Sequence, residues 1–402
     1  MRRLFQCLLL ILSVSVFATE KVVENDINPK GKALTIEFKE DLRFGTDEED
    51  DNYLWADPST AIEVNSMGHI FIADTREKRV LEFNPTGEFV RVIASPGQGP
   101  GELQGLADIS ILEDDSIVVL NAGIGVMSKF LFFDKNGKYV RDVAPLGFST
   151  FISTSEFSPD GSLFGGIFVG FDMESGVMQF KAGTLNLKFE TIQLLSEHPQ
   201  SFNPADFQSQ AGIVKFFSSI LTNAYKGTGM VMFDKAGHGY SAVSNSYEIT
   251  KWDPSFQKKL MIIKKKYKPI PNTDERKRAI ANRTIDGMRQ NAPAMVNDSM
   301  VDQLIEKTEL PLVTNPVNGI ITIGNEHILV IHDANEATGV QKADIFDKDG
   351  VFLGNVTMDH WAFLNPDSKP SMVFKNGFAY CLETDKNDEN RLVRYKYSFK
   401  QI

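Results

Sequence analysis

Cysteine is nearly absent from this 402-residue chain, which has only Cys7 and Cys381. Cys7 lies in an N-terminal segment expected to be removed, so no intrachain disulfide is available and stability must come from packing. Long apolar runs are also missing. Beyond the first residues nothing approaches the roughly 18 consecutive apolar residues of a bilayer-spanning helix, which excludes a transmembrane segment in the mature chain. Positive charge is in deficit, with 42 Lys and Arg against 53 Asp and Glu and a net charge of −11, so nucleic acid is a poor partner. The six histidines show no metal-ligand spacing, and the glycine-rich stretch from Gly97 to Gly101 lacks the Lys-Ser/Thr ending of a phosphate cradle. Neither a zinc site nor a nucleotide site is expected. With 42% hydrophobic and 24% charged residues, the chain has the composition of a packed globular protein rather than a disordered one.

Arg2 and Arg3 precede an apolar run from Leu8 to Val16, which ends in Val16-Phe17-Ala18 with small residues where a cleavage site needs them. This is the layout of a signal peptide over residues 1–18, and it predicts an exported, periplasmic or extracellular protein. Cys7 precedes most of the apolar run, so it is not the lipidated cysteine of a lipoprotein. Residues 19–32 read as a linker and residues 33–402 as one domain.

That domain is organised by a recurring unit of four short strands with glycine turns. The clearest copy runs Ile62-Glu63-Val64, a turn at Met67-Gly68, Ile70 to Asp74, Arg79 to Phe83, a turn at Pro85-Thr86-Gly87, and Phe89 to Ile93. The next runs from Ile109 to Val143 and places Phe133-Asp134 before the turn at Asn136-Gly137. Weaker copies open at Phe157, Val231, Ile320 and Met372. Four antiparallel strands at a period near 40 to 50 residues is the pattern of propeller blades, which bury both sheet faces around a central channel. The expected fold is all-β, a six-bladed β-propeller in which Ala33 to Phe38 pairs with the C-terminal blade and closes the ring. One segment breaks the pattern. Asn272 with Glu275 forms a capping-box signature, Ala281, Ile285 and Met288 share a helical face, and a second short helix is expected near Met300 to Ile305. A helical insertion over about 272–308 follows.

The phrase Gly68-His69-Ile70-Phe71-Ile72-Ala73-Asp74, with Arg79-Val80 and Phe83 before Gly87, resembles the NHL repeat. Gly97-Gln98-Gly99-Pro100-Gly101-Glu102-Leu103 is similar to the interblade loop of bacterial six-bladed, NHL-like propellers. Glu77 stands where that phrase usually has Asn, and the Asn-His-Leu triplet is absent. The resemblance implies the fold and leaves the activity open, since such propellers include scaffolds, sensors and some enzymes.

In a propeller, the loop after each second strand and the loop joining successive blades lie on one face, around the channel mouth. This singles out Asp74, Asn121, Asp333 and Glu383 at second-strand ends, with His332, Arg79 and the loop from Gln98 to Glu102. Such a ring can hold a polar or anionic ligand, or a hydrated divalent cation in the channel; Asp108 and Glu156 in innermost strands are further candidates. The plainer alternative is that Asp and Asn there bond their own turn backbone. No catalytic constellation, resident metal or cofactor is predicted.

Between Lys251 and Arg289 the chain carries twelve Lys and Arg against four acidic residues. Lys264, Lys265, Lys266, Arg276, Lys277 and Arg278 form a basic stripe suited to an anionic surface, such as an acidic partner or an envelope polymer, or to a solvated edge and helix face. Asp47 to Asp51 reads as a solvated acidic loop. The functional expectation is a non-catalytic scaffold that binds a ligand or protein through one face of the disc. The alternative is a metal-assisted hydrolase or lyase at the channel mouth.

Overall fold

The computed structural model describes residues 20–45, 50–55, 61–123, 126–145, 150–172, 176–201, 203–291, 296–297, 299–335, 338, 340–358, 372–384 and 390–402. The expected signal peptide, Asp47 to Glu49 of the acidic loop and His360 lie outside the described residues. The strands form six antiparallel blades. Their first strands are Ala61–Val64, Asp108–Ile111, Thr150–Phe157, Gly229–Phe233, Gly319–Ile323 and Met372–Lys375.

The recurring aromatic-Asp phrase has a direct physical cause. The apolar residue is buried between blades, and the Asp or Asn after it bonds the backbone of the turn between third and fourth strands. Asn84 Oδ1 accepts from the amides of Thr86 (2.9 Å) and Glu88 (3.0 Å). Asp134 does the same for Asn136 and Lys138, Asn186 for Lys188 and Glu190, Asp253 for Gln257 and Lys258, and Asp347 for Asp349 and Val351. The turn then needs one residue with positive φ. Gly87, Gly137 and Gly350 supply it in three blades, whereas Phe189 and Phe256 occupy the equivalent place in blades 3 and 4 at φ 62° and 56°. In both, the ring goes into the core.

Each pair of successive blades shares an apolar core, and the series closes on itself: Tyr380, Leu382 and Leu392 of blade 6 pack with Ile62, Ile72 and Leu81 of blade 1. Burying both faces explains why a strand such as Ile70–Asp74 is buried at every position. The ring is shut by β2 (Leu34–Phe44), which pairs antiparallel with Asn390–Gln401 and serves as the outermost strand of blade 6. That was the expected closure.

The segment 19–32 is not merely a linker. Within it, β1 (Lys21–Asn25) pairs parallel with Lys259–Lys265 and adds a fifth strand to blade 4. Asn25 fastens it: its Nδ2 donates to the carbonyls of Lys264 (3.1 Å) and Gly350 (3.0 Å), and its Oδ1 accepts from Phe352 N (2.9 Å). β1 therefore joins blade 4 to blade 5.

The expected insertion contains two helices, and a third joins them from the preceding interblade connection. α1 (Gln210–Tyr225) links blades 3 and 4; α2 (Asp274–Asn291) and α3 (Ser299–Lys307) link blades 4 and 5. They share a small core of Ile213, Val214, Ala281, Ile285, Met300 and Leu304. Among the described residues no helix is long and apolar enough to cross a membrane.

Candidate functional site

Most of the residues expected to ring the channel mouth are bonded within their own neighbourhoods. Asp74 is fully buried and receives Arg79 Nε at 3.0 Å. Arg79 Nη2 also donates to the carbonyls of Asp51 (2.7 Å) and Leu54 (3.0 Å), so the pair pins the segment that enters blade 1. Burial pushes the Asp74 carboxyl above its ordinary range, against the pull of Arg79. Asn121 Oδ1 accepts from the amides of Gln104 (2.9 Å) and Gly105 (3.3 Å), holding the loop that follows Glu102. Gly105 lies so close to blade 2 that a Cβ would stand 2.4 Å from the Ala122 carbonyl oxygen. Glu102 Oε2 accepts from Gly99 N at 2.8 Å and folds that loop on itself, leaving Gln98 exposed.

Glu383 belongs to the ring closure. Its Oε2 accepts from Arg43 Nη2 of β2 at 2.9 Å, and its Oε1 accepts from Tyr395 OH. Asp333 Oδ1 accepts from Arg276 Nη2 of α2 at 2.9 Å, with Lys342 Nζ 3.7 Å from Oδ2. Neighbouring His332 turns instead toward Asp344, with Nε2 3.6 Å from Oδ1.

The basic stripe is neutralised where it stands. Lys264 meets Glu248 (3.2 Å), Lys265 meets Asp344 (3.1 Å) and Lys266 meets Asp26 (2.7 Å). Arg276 is committed to Asp333, Lys277 meets Asp274 (3.2 Å) and Arg278 meets Asp302 (2.9 Å). In the stripe, six positive groups face six carboxylates, most supplied by segments that the stripe's own sequence does not contain.

A buried network around Asp344 was not foreseen. Its Oδ2 receives Tyr247 OH and Lys265 Nζ, while His332 approaches the other oxygen, so it joins blades 4 and 5 beside the insertion. Burial raises the Tyr247 phenol well above its ordinary range and lowers His332 below its own. The aromatic-plus-acid turn signature gave no sign of Asp344, which stands mid-strand in Val340–Asp347.

The central channel holds a cavity of about 340 Å³. Each blade contributes through its first strand: Glu63, Ser110, Glu156, Met232, Ile321 and Val373 stand on the wall. The first-to-second-strand turns at its mouth supply Glu113, Asp234, Lys235 and Lys375 or directly adjoin them. In an antiparallel blade those turns lie opposite the second-to-third turns, so the cavity opens on the face away from the predicted rim. Of its wall, sequence reasoning named only Glu156. The missed signal was a polar residue interrupting an otherwise apolar first strand, as in Ile62-Glu63-Val64 and Ile109-Ser110-Ile111. Ser110 is 5% exposed, and among the described residues its Oγ has no hydrogen-bond partner. Among the described residues no three His, Cys, Asp or Glu side chains are grouped to hold a metal.

Comparison with known proteins agrees with this architecture. Residues 42–157 match a family model described as a 6-bladed beta-propeller. No curated protein matches the sequence. Among solved structures, a member of the DUF4221 family from Bacteroides vulgatus superposes with a TM-score of 0.52 at 10% identity, covering 93% of this chain and 100% of that one. A Bacteroides fragilis protein described as exported gives a TM-score of 0.47 at 11% identity over 95% of this chain and 100% of that one. Virginiamycin B lyase from Staphylococcus aureus gives 0.40 at 8% identity over 90% and 99%. At such identities the likeness concerns the fold alone.

Proposed function

We propose that this six-bladed β-propeller is an exported, non-catalytic binding module that takes a small ligand into its central channel. The observation that carries the reading is the cavity of about 340 Å³ bounded by all six first strands. Its volume falls at the lower end of ligand pockets, about 300 to 1,000 Å³, and its wall mixes apolar surface with a few polar groups. The rim residues are occupied with ion pairs and backbone bonds, which favours the channel over the rim. The leader-like residues 1–18 support export to the periplasm or the exterior. The alternative of metal-assisted hydrolysis or elimination at the rim draws no support from this geometry.

The test is a thermal-shift screen of small metabolites against the wild type and against Val373→Trp and Met232→Trp, either of which fills the channel. Ligands are expected to raise the melting temperature of the wild type and to lose that effect in both variants. Stabilisation that survives both substitutions, or a screen without a hit, defeats the reading.

A further inference from the structure

Blades 1, 2 and 3 are complete with four strands, and β2 shuts the ring by pairing with Asn390–Gln401. β1 is therefore an addition to blade 4 and takes no part in the closure. We infer that the groove it fills, between blades 4 and 5, is a binding site for an extended segment of a partner protein, and that β1 is a tethered plug which such a segment displaces.

The groove reads its occupant at three points. The edge of Lys259–Lys265 supplies a parallel ladder from Met261 to Lys265, the means by which a sheet edge takes up an added strand. Val23 packs against the core that Ile263 and Phe352 share between the two blades. Asn25 meets the carbonyls of Lys264 and Gly350 and the amide of Phe352, a set that calls for donors and an acceptor on one side chain, as a primary amide provides. The blades themselves bring these groups together. A Cβ on Gly350 would stand 2.8 Å from Ile263 Cγ1, so the blade 5 turn is seated on blade 4 by a contact in which β1 takes no part.

The tether is slack. Asn25 bonds Phe352, and Leu34 at the head of β2 pairs with Gly354, two residues further along the same strand. Residues 26–33 thus join anchor points roughly 7 Å apart on that strand. A fully extended stretch of that length reaches about 26 Å. Most of the tether is exposed, as are Lys21, Val22 and Glu24 of the plug. With Val23 only half-buried, β1 is the kind of segment that opens locally while the remainder stays folded.

These contacts set the chemistry of the partner: an extended stretch with an apolar residue two places before an asparagine, and a cation two places earlier still. Lys21 fills the last position, with Nζ 3.1 Å from the Asp349 carbonyl oxygen.

A fluorescent peptide of residues 20–28, titrated against the chain from residue 19 onward, tests the inference. The tether holds β1 at an effective concentration on the order of millimolar, so the peptide is expected to bind the wild type weakly. Asn25→Ala in the chain loosens the plug and leaves the groove intact, and should tighten peptide binding at least about tenfold. Asn25→Ala or Val23→Ser in the peptide should each weaken it by at least about tenfold on that same chain. Bound peptide should also slow hydrogen exchange along Lys259–Lys265. If melting curves show that the Asn25→Ala chain does not fold, Val23→Ser in the chain loosens the plug in its place. No saturable binding to either chain, or binding indifferent to Asn25→Ala in the peptide, overturns the inference. Sedimentation of the chain alone completes the test: a monomer is expected, and a dimer that the peptide dissociates would give the groove to a second copy and overturn the separate partner.

Discussion

Arg276 of α2 and Asp333 of blade 5 form an ion pair of 2.9 Å with side chains only 10% and 9% exposed. It fastens the helical insertion to the disc. A buried pair broken on one side leaves an unpaired charge, so Asp333→Asn is expected to cost about 3–5 kcal/mol in urea unfolding. The double variant Arg276→Met, Asp333→Leu should cost much less than the sum of the single changes. Equal, additive losses would show that the two side chains act independently.

Asn25 makes three bonds that tie β1 to blades 4 and 5. Asn25→Ala strands the Phe352 amide and two carbonyls, and a loss of about 1–3 kcal/mol is expected. Hydrogen exchange should quicken at Phe352 and along Lys259–Lys265. An unchanged pattern would mean that β1 contributes nothing to blade 4.

How far the sequence was legible follows from where each signal resides. Turn residues announce themselves locally, so Gly87 and Gly137 marked blades 1 and 2 clearly. Blades 3 and 4 read faintly because Phe189 and Phe256 take the left-handed position that glycine fills elsewhere. α1 escaped notice since its apolar stripe of Ile213, Val214, Phe217 and Leu221 is accompanied by further apolar residues off that face, such as Phe216 and Ile220, so the run reads like another strand. β1 is short, and most of its residues remain partly or well exposed. The ion pairs of the candidate rim were hidden for a different reason. Glu383 meets Arg43 and Asp333 meets Arg276, partners drawn from distant parts of the chain, and no local pattern reveals that a carboxylate is already engaged.

Gly105 has no room for a methyl group against the Ala122 carbonyl. Gly105→Ala must push the interblade loop away from Asn121, and a destabilisation of about 1–3 kcal/mol is expected. Asn121→Ala should give a loss of similar size, with faster exchange at the Gln104 amide. Wild-type melting of Gly105→Ala would contradict the close approach.

Burial lowers the imidazoles of His332 and His327, with nearby carboxylates opposing the shift at both. In the unfolded chain both titrate near about 6.5. Below that pH the unfolded state takes up protons that the folded state resists, so stability declines as pH falls from about 6.5 through the lowered values, and is insensitive to these groups above it. Denaturant midpoints between about pH 5 and 8 measure the slope. His332→Gln should flatten it; an unaltered slope would remove His332 as a source.

Leu34 lies opposite Gln401 in the strand pair that shuts the ring. A ribosome delivers one half of this latch early and the other after every blade has emerged, so the nascent chain spends most of its synthesis as an unsealed crescent. Contacts of such long reach form slowly and leave sheet borders bare in the meantime. Premature termination before Asn390 would therefore yield an arc whose two ends are ready to recruit one another between molecules.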